Sequence, residues 1–305
     1  MTDPAESPRR TGVVWLILIA IGIVAFTVVG VFGSRIVGGR LEAARQLDRA
    51  TLLVERAGNA VVAIDEVVRA DVSPSVAVKA RDAGTRVAPA RLLLEEALRL
   101  ADSAMPRLTD DEQRRATLLK DAAAARIEML DVAPAILAAN IKAADALPLA
   151  TEAWTSLVAA GGLSDRAVAE YNRLTKTGVQ ASVTFNAQAD GGLLNARDLL
   201  SRAATAFPEA GVERYDAYVG QKLRQVALLR QADIAWLAGR IAEANTLIAA
   251  YNALGVGSAA ALKQLPATPS VAVADAYKRL TDLPTAAYFK ARTKASTADK
   301  ALKAQ

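Results

Sequence analysis

The chain has 305 residues, 52% hydrophobic and only 5% aromatic, with no cysteine and no histidine. Those absences exclude disulfides, thiolate nucleophiles and zinc sites built on Cys or His, and they remove the residue most used as a general base near neutral pH. The formal net charge of +5 belongs to residues 278–305, where Lys278, Arg279, Lys290, Arg292, Lys294, Lys300 and Lys303 face only Asp282 and Asp299, so residues 1–277 are neutral overall.

Alanine is heavily used, and alanine is the best helix former because ordering it costs no side-chain entropy. With Leu, Arg, Glu and Gln around it, the composition predicts an all-α chain. Alternating β-branched runs and Asn-Gly hairpin turns are absent.

Residues 1–10 form a short polar tail. The next stretch, "TGVVWLILIAIGIVAFTVVGVFGS" (11–34), holds no charged residue and is flanked by Arg9-Arg10 and Arg35. At ~1.5 Å per residue it is long enough for a bilayer core of ~30 Å, and longer than the apolar region of a cleaved signal peptide. Residues 11–37 are therefore predicted to be a transmembrane signal-anchor helix, contacting the lipid bilayer through residues 11–34, with Trp15 suited to the interface. Basic residues flank it on both sides, Arg9 and Arg10 before and Arg35, Arg40, Arg45 and Arg49 after, so the positive-inside rule is nearly balanced and leans toward a cytoplasmic body. Against that, a short basic tail before a first hydrophobic segment usually precedes export of the chain beyond that segment, so the N-terminus is expected in the cytoplasm and the body outside it. Gly30, Ser34 and Gly38 recur at four-residue steps. They either form a small-residue face that pairs two anchors into a homodimer or loosen the helix as it leaves the membrane.

Beyond Gly39 the punctuation predicts long helices. Helix is expected over 40–70, weakened at Gly58-Asn59. Ser73-Pro74 reads as an N-cap followed by proline at the first helical position. The helix beginning there reaches about Ala104, with a kink at Pro89, and breaks at Pro106. Thr109-Asp110-Asp111-Glu112 reads as a capping box opening a helix toward Leu147, with a kink at Pro134. Pro148 is expected to restart the chain, Gly161-Gly162 to break it, and Ser164-Asp165 to cap a piece ending near Thr177-Gly178. Helix then runs to Phe207-Pro208, and a long one from about Glu209 to Leu254. "GVGS" (255–258) and "LPATPS" (265–270) punctuate before a last helix after Pro284.

Weak self-similarity at about 106 residues suggests repeats. "YNRLT" (171–175) and "YKRLT" (277–281) mark corresponding helix ends, with Tyr171 and Tyr277 packing inward. The division is helical unit 1 at 40–147, helical unit 2 at 148–254, and a truncated unit 3 at 255–305 with a basic C-terminal helix. A unit of this size with three long antiparallel helices is similar in size and plan to the spectrin repeat, though no motif residue marks that family.

Two stripes support packing: Leu237, Ile241, Ala244, Ile248 and Tyr251, and Tyr288, Ala291, Ala295, Ala298 and Leu302. Trp154, Trp236, Tyr171 and Tyr277 read as core anchors. The pairs Asp65-Glu66, Glu95-Glu96 and Asp110-Asp111 place neighbours on different helix faces and read as solvated charges. Asp233 lies near the face of Leu229, Trp236 and Leu237. It reads as a buried carboxylate paired with Arg or Lys, or as the edge of the core. Gly191-Gly192 lacks the context of a phosphate loop and reads as close packing or a kink.

No catalytic constellation, cofactor site or metal site stands out. Lys290, Arg292, Lys294, Lys300 and Lys303 are candidate contacts to an anionic surface, or simply a solvated helix back. Nucleic acid is not an expected partner, because aromatics are not interleaved with these charges. The functional expectation is a non-catalytic, membrane-anchored helical scaffold of the cell envelope, with protein partners. The alternative is an extracytoplasmic ligand-sensing module working with a separate membrane partner.

Overall fold

The computed structural model describes the backbone of residues 11–304 and the side chains of residues 38–304. Among the described residues there are seven α-helices, two short 3-10 turns and no strand. The helices are α1 (Thr11–Val68), α2 (Pro74–Ala104), α3 (Asp110–Tyr171), α4 (Lys176–Ala206), α5 (Arg214–Leu237), α6 (Ile241–Leu262) and α7 (Pro269–Lys303). Among the described residues no helix is long and apolar enough to cross a membrane. The side chains of the apolar run at 11–34, and with them Gly30 and Ser34 of the expected pairing face, lie outside the described residues. Gly38 is exposed, and a Cβ there would meet nothing within 4 Å.

Two of the caps read from sequence close helix starts, whereas Ser164-Asp165 lies inside α3 and caps none. The Val76 N–H donates to Ser73 Oγ at 3.3 Å ahead of α2. At α3 the capping box is reciprocal: the Thr109 N–H donates to Glu112 Oε2 at 2.8 Å and the Glu112 N–H donates back to Thr109 Oγ1 at 3.4 Å. The Thr109 N–H bond, joined by one from Thr109 Oγ1 to the same carboxylate oxygen at 2.9 Å, holds the Glu112 carboxylate below its ordinary pKa, the backbone bond contributing most.

Several expected breaks are absent. Pro148 and the Gly161-Gly162 pair lie inside α3, the "GVGS" stretch inside α6 and Pro284 inside α7. A proline removes one backbone hydrogen bond and a glycine costs about 1 kcal/mol, and a helix tens of residues long, packed along one side, absorbs either. Conversely, the helix expected over 209–254 is two. It stops at Gly239, whose φ of 75° is left-handed. The Gly239 N–H donates to the Trp236 carbonyl (2.9 Å) and the Arg240 N–H to the Ala235 carbonyl (2.8 Å), the paired bonds of a Schellman motif. Leu237 and Ile241 are consequently exposed, so only Ala244, Ile248 and Tyr251 of that stripe face inward. The two tyrosine stretches also differ. Tyr171 is the last residue of α3, whereas Tyr277 lies within α7.

The contacts divide the chain into two compact units. One comprises residues 1–59, 88–128 and 291–305. Its described core is a seam of mostly small side chains at alternating steps of three and four: Ala43, Leu47, Ala50, Val54 and Ala57 on α1, Ala90, Leu94, Ala97, Ala101 and Ala104 on α2, Ala116, Leu119 and Ala123 on α3, and Ala291, Ala295 and Ala298 on α7. This is the spacing that keeps one face of each helix turned to its neighbours, and alanine there lets backbones approach closely. Arg126 on α3 clamps Asp299 on α7 with one guanidinium nitrogen at 3.0 and 2.8 Å from the two carboxylate oxygens.

The other unit comprises residues 60–87 and 129–290. Its larger cluster is built from α3, α4, α5 and α7 around Phe207, Val212 and Tyr215. Trp154 packs edge-on to Tyr215 (centroids 6.4 Å apart, planes at 77°), and the Tyr215 hydroxyl donates to the Pro266 carbonyl at 2.5 Å. Burial pushes the Tyr215 phenol up to about 12. Tyr171 is buried, and Trp154, Trp236 and Tyr277 pack half-buried against the clusters, so the expected aromatic anchors do pack.

Candidate functional site: a buried polar centre and an uncharged helix face

The polar centre begins with a tight turn. After Tyr171 the chain reverses through Leu174, which adopts φ 50° without being glycine, and Thr175 caps α4 by accepting from the Gly178 N–H at 3.1 Å. A Cβ on Gly178 would lie 2.6 Å from the Glu170 carbonyl oxygen, so only glycine lets the first turn of α4 sit this close to the last turn of α3. Val179, Ser182, Asn186 and Ala189 then share the buried face of α4, at steps of three and four.

This places two polar side chains against α5. Ser182 Oγ donates to Asp233 Oδ2 at 3.0 Å and Asn186 Nδ2 donates to the same oxygen at 2.9 Å. All three residues have no exposed surface. Asp233 Oδ1 and Asn186 Oδ1 are buried without a hydrogen-bond partner. Burial pushes the Asp233 carboxyl up to about 6, against the two donated bonds that favour its charge. The pairing with Arg or Lys expected from sequence is replaced by two neutral donors. Ser182 and Asn186 escaped the sequence reading because polar residues on helices are ordinarily exposed. Their signal is positional, since both fall on the stripe of Val179, Ala189 and Leu193.

A second polar pin joins α5 to α6. Gln225 Nε2 donates to the Tyr251 carbonyl at 3.3 Å, and its Oε1 accepts from Ser258 Oγ at 3.4 Å. A Cβ on Gly255 would lie 2.8 Å from Gln225 Nε2, so the glycine makes room for the pin. On its other side α6 is unusual. From Ala244 to Leu262 it has no charged residue, and Ala249, Ala250, Ala253, Val256, Ala259 and Ala260 are all exposed. Exposed helix faces elsewhere in the chain carry ion pairs, such as Arg91–Glu95 on α2 and Lys278–Asp282 on α7.

The basic residues Lys290, Arg292, Lys294, Lys300 and Lys303 are exposed on α7, outside the buried stripe of Tyr288, Ala291, Ala295 and Ala298. They do not stand alone: Lys294 Nζ donates to both oxygens of Glu128 at 2.9 and 2.8 Å. Of the acidic pairs, Asp65 departs from expectation. It is buried and ion-paired to Arg69 at 2.9 Å. Gly192 packs closely, with its Cβ position 3.1 Å from Ala160 Cβ, while Gly191 faces open space. Among the described residues no group of three or more Asp and Glu side chains is placed to hold a metal ion. An open depression at Asp110, Gln113, Arg114, Thr117 and Leu118 is lined by one helix alone and offers no convergent chemistry. No protein-family model, no curated protein and no solved structure matches the chain.

Proposed function

We propose that this chain is a non-catalytic, membrane-anchored helical scaffold of the cell envelope that presents α6 to a protein partner. The observation that carries the reading is the outer face of α6, uncharged from Ala244 to Leu262 and surfaced by alanine, by Val256, which is 76% exposed, and by the neutral Asn245, Thr246 and Asn252. Small uncharged side chains on a long helix suit close approach by another helix of the same character, whereas a charged partner would lose hydration there without compensation. The anchor is the uncharged run at 11–34, with Gly30, Ser34 and Gly38 as a face that could pair two copies. The body lies outside the cytoplasm, and the exposed cations of α7 add attraction to an anionic surface. A ligand-sensing module with a separate membrane partner is the second reading. It is favoured by the fully buried polar centre, and a rise in melting temperature with a small molecule would support it.

The test is crosslinking and pull-down of the full-length protein from its native membrane, in parallel with a Val256→Glu, Ala249→Glu double variant. A protein partner captured by the wild type and lost from the folded variant supports the scaffold. Failure to capture any protein, or equal capture by the variant, removes it.

A further inference from the structure

We propose that Ser182, Asn186 and Asp233 form a proton-operated latch between α4 and α5, in which the buried Asp233 carboxyl carries a proton when the latch is shut and loosens the seam when it ionises. Two donors converge on Asp233 Oδ2, while Asp233 Oδ1 and Asn186 Oδ1 are buried acceptors with nothing donating to them. A carboxylate carries acceptors only, so in the ionised state a full charge is buried and one of its oxygens is unsatisfied. Protonation on Oδ1 removes the buried charge and leaves both existing bonds to Oδ2 in place.

The surroundings offer no other remedy. Tyr171 from α3 is the ionisable group that senses Asp233, and its phenol is raised first by burial and then by the Asp233 charge, so it stays neutral across the relevant range. From α4 the facing groups are Ser182 and Asn186, both neutral. From α6 the cluster contributes Leu247, Ile248 and Tyr251, and α5 itself adds Leu229 and Trp236. No cation contributes to the environment of the carboxyl, whose ordinary value is displaced by burial and opposed only by the two hydrogen bonds.

Between the unfolded value of 3.8 and the folded value of about 6, the closed state holds the proton and the open state does not. The latch therefore opens as pH rises through that window. Between pH 4 and pH 7 its opening equilibrium increases on the order of 50-fold.

Hydrogen–deuterium exchange of the full-length protein in detergent, corrected for intrinsic exchange, reads this directly. Amides of residues 179–189 and 226–236 are expected to lose protection by that factor from pH 4 to pH 7. The Asp233→Asn variant, neutral at every pH, is expected to show no such loss. Ser182→Ala removes a bond that favours the charged form, so its midpoint moves to higher pH. A pH-independent wild type, a profile shared with Asp233→Asn, or an unmoved midpoint in Ser182→Ala overturns the latch. So does restoration of protection at pH 8 by sodium or potassium chloride, which would assign the two bare oxygens to a metal ion instead.

Discussion

Replacing Asp233 by asparagine retains an oxygen to accept from Ser182 and Asn186 and removes the charge that burial disfavours. Its stability effect comes from linkage. The folded state binds a proton that the unfolded state releases between pH 3.8 and about 6, so the contribution of Asp233 is fully present below that window and lost as pH rises through it. At about 1.4 kcal/mol per pK unit, the loss amounts to about 3 kcal/mol by pH 7. Denaturant titrations of the two proteins should diverge from pH 4 to pH 7, with Asp233→Asn the more stable at neutral pH. Two glycines make a complementary pair. Gly178→Ala drives a Cβ against the Glu170 carbonyl and should destabilise by about 1–3 kcal/mol. Gly191→Ala enters open space on a helix and should stabilise by about 0.5–1 kcal/mol. Shifts in denaturant midpoint, in opposite directions, check both.

For whole helices, legibility in the sequence depends on how much a local signal can encode. Ser73, Thr109 and Glu112 announce helix starts because their side chains bond the nearest backbone, and they do so in the structure. The stripe from Tyr288 to Ala298 was readable because spacing alone sets a helix face. Helix ends were harder. Pro148, Pro284 and Gly161-Gly162 carry local penalties of a few kcal/mol that packing along α3 and α7 outweighs. The "YNRLT" stretch does mark the end of α3 at Tyr171, but residues 172–175 hold neither glycine nor proline to announce the turn's shape, and Leu174 is held at positive φ by the structure around it. The polar centre was half readable: Asp233 stood out as a carboxylate on an apolar face, but its partners lie about 50 residues upstream on another helix, and no local pattern joins them. Among helix ends, Gly239 combines left-handed backbone with a complete pair of capping bonds. Gly239→Ala should cost about 1 kcal/mol, measurable by thermal unfolding, because an L side chain resists that conformation.

Taken as a whole, the chain shows a periodicity that its residues barely advertise. Lengths of 58, 31, 62 and 31 residues succeed one another in α1 to α4, and each 31-residue helix is followed by a 3-10 turn containing proline, Pro106 and Pro208. Ser73 and Thr175 cap the two shorter helices 102 residues apart, the same interval that separates the prolines. The sequence resemblance at about 106 does not match this interval, because it pairs the end of α3 at Tyr171 with Tyr277 in the middle of α7. Orientation in the membrane is also a property of the whole chain, and the lack of cysteine makes it measurable. A single Ala304→Cys should react with an impermeant maleimide on intact cells. Labelling only after lysis would place the body in the cytoplasm.

The 102-residue interval also gives the polar centre an internal control. Buried Ala80 stands in α2 where buried Ser182 stands in α4, and exposed Gly84 where buried Asn186 stands. Two helices of equal length and like cap thus occur in one molecule, one with a polar pair on its buried face and one without. Exchange profiles of α2 and α4, recorded in a single sample, therefore separate what the chemistry of the pair contributes from what any helix of this length and alanine content would do in the same solvent.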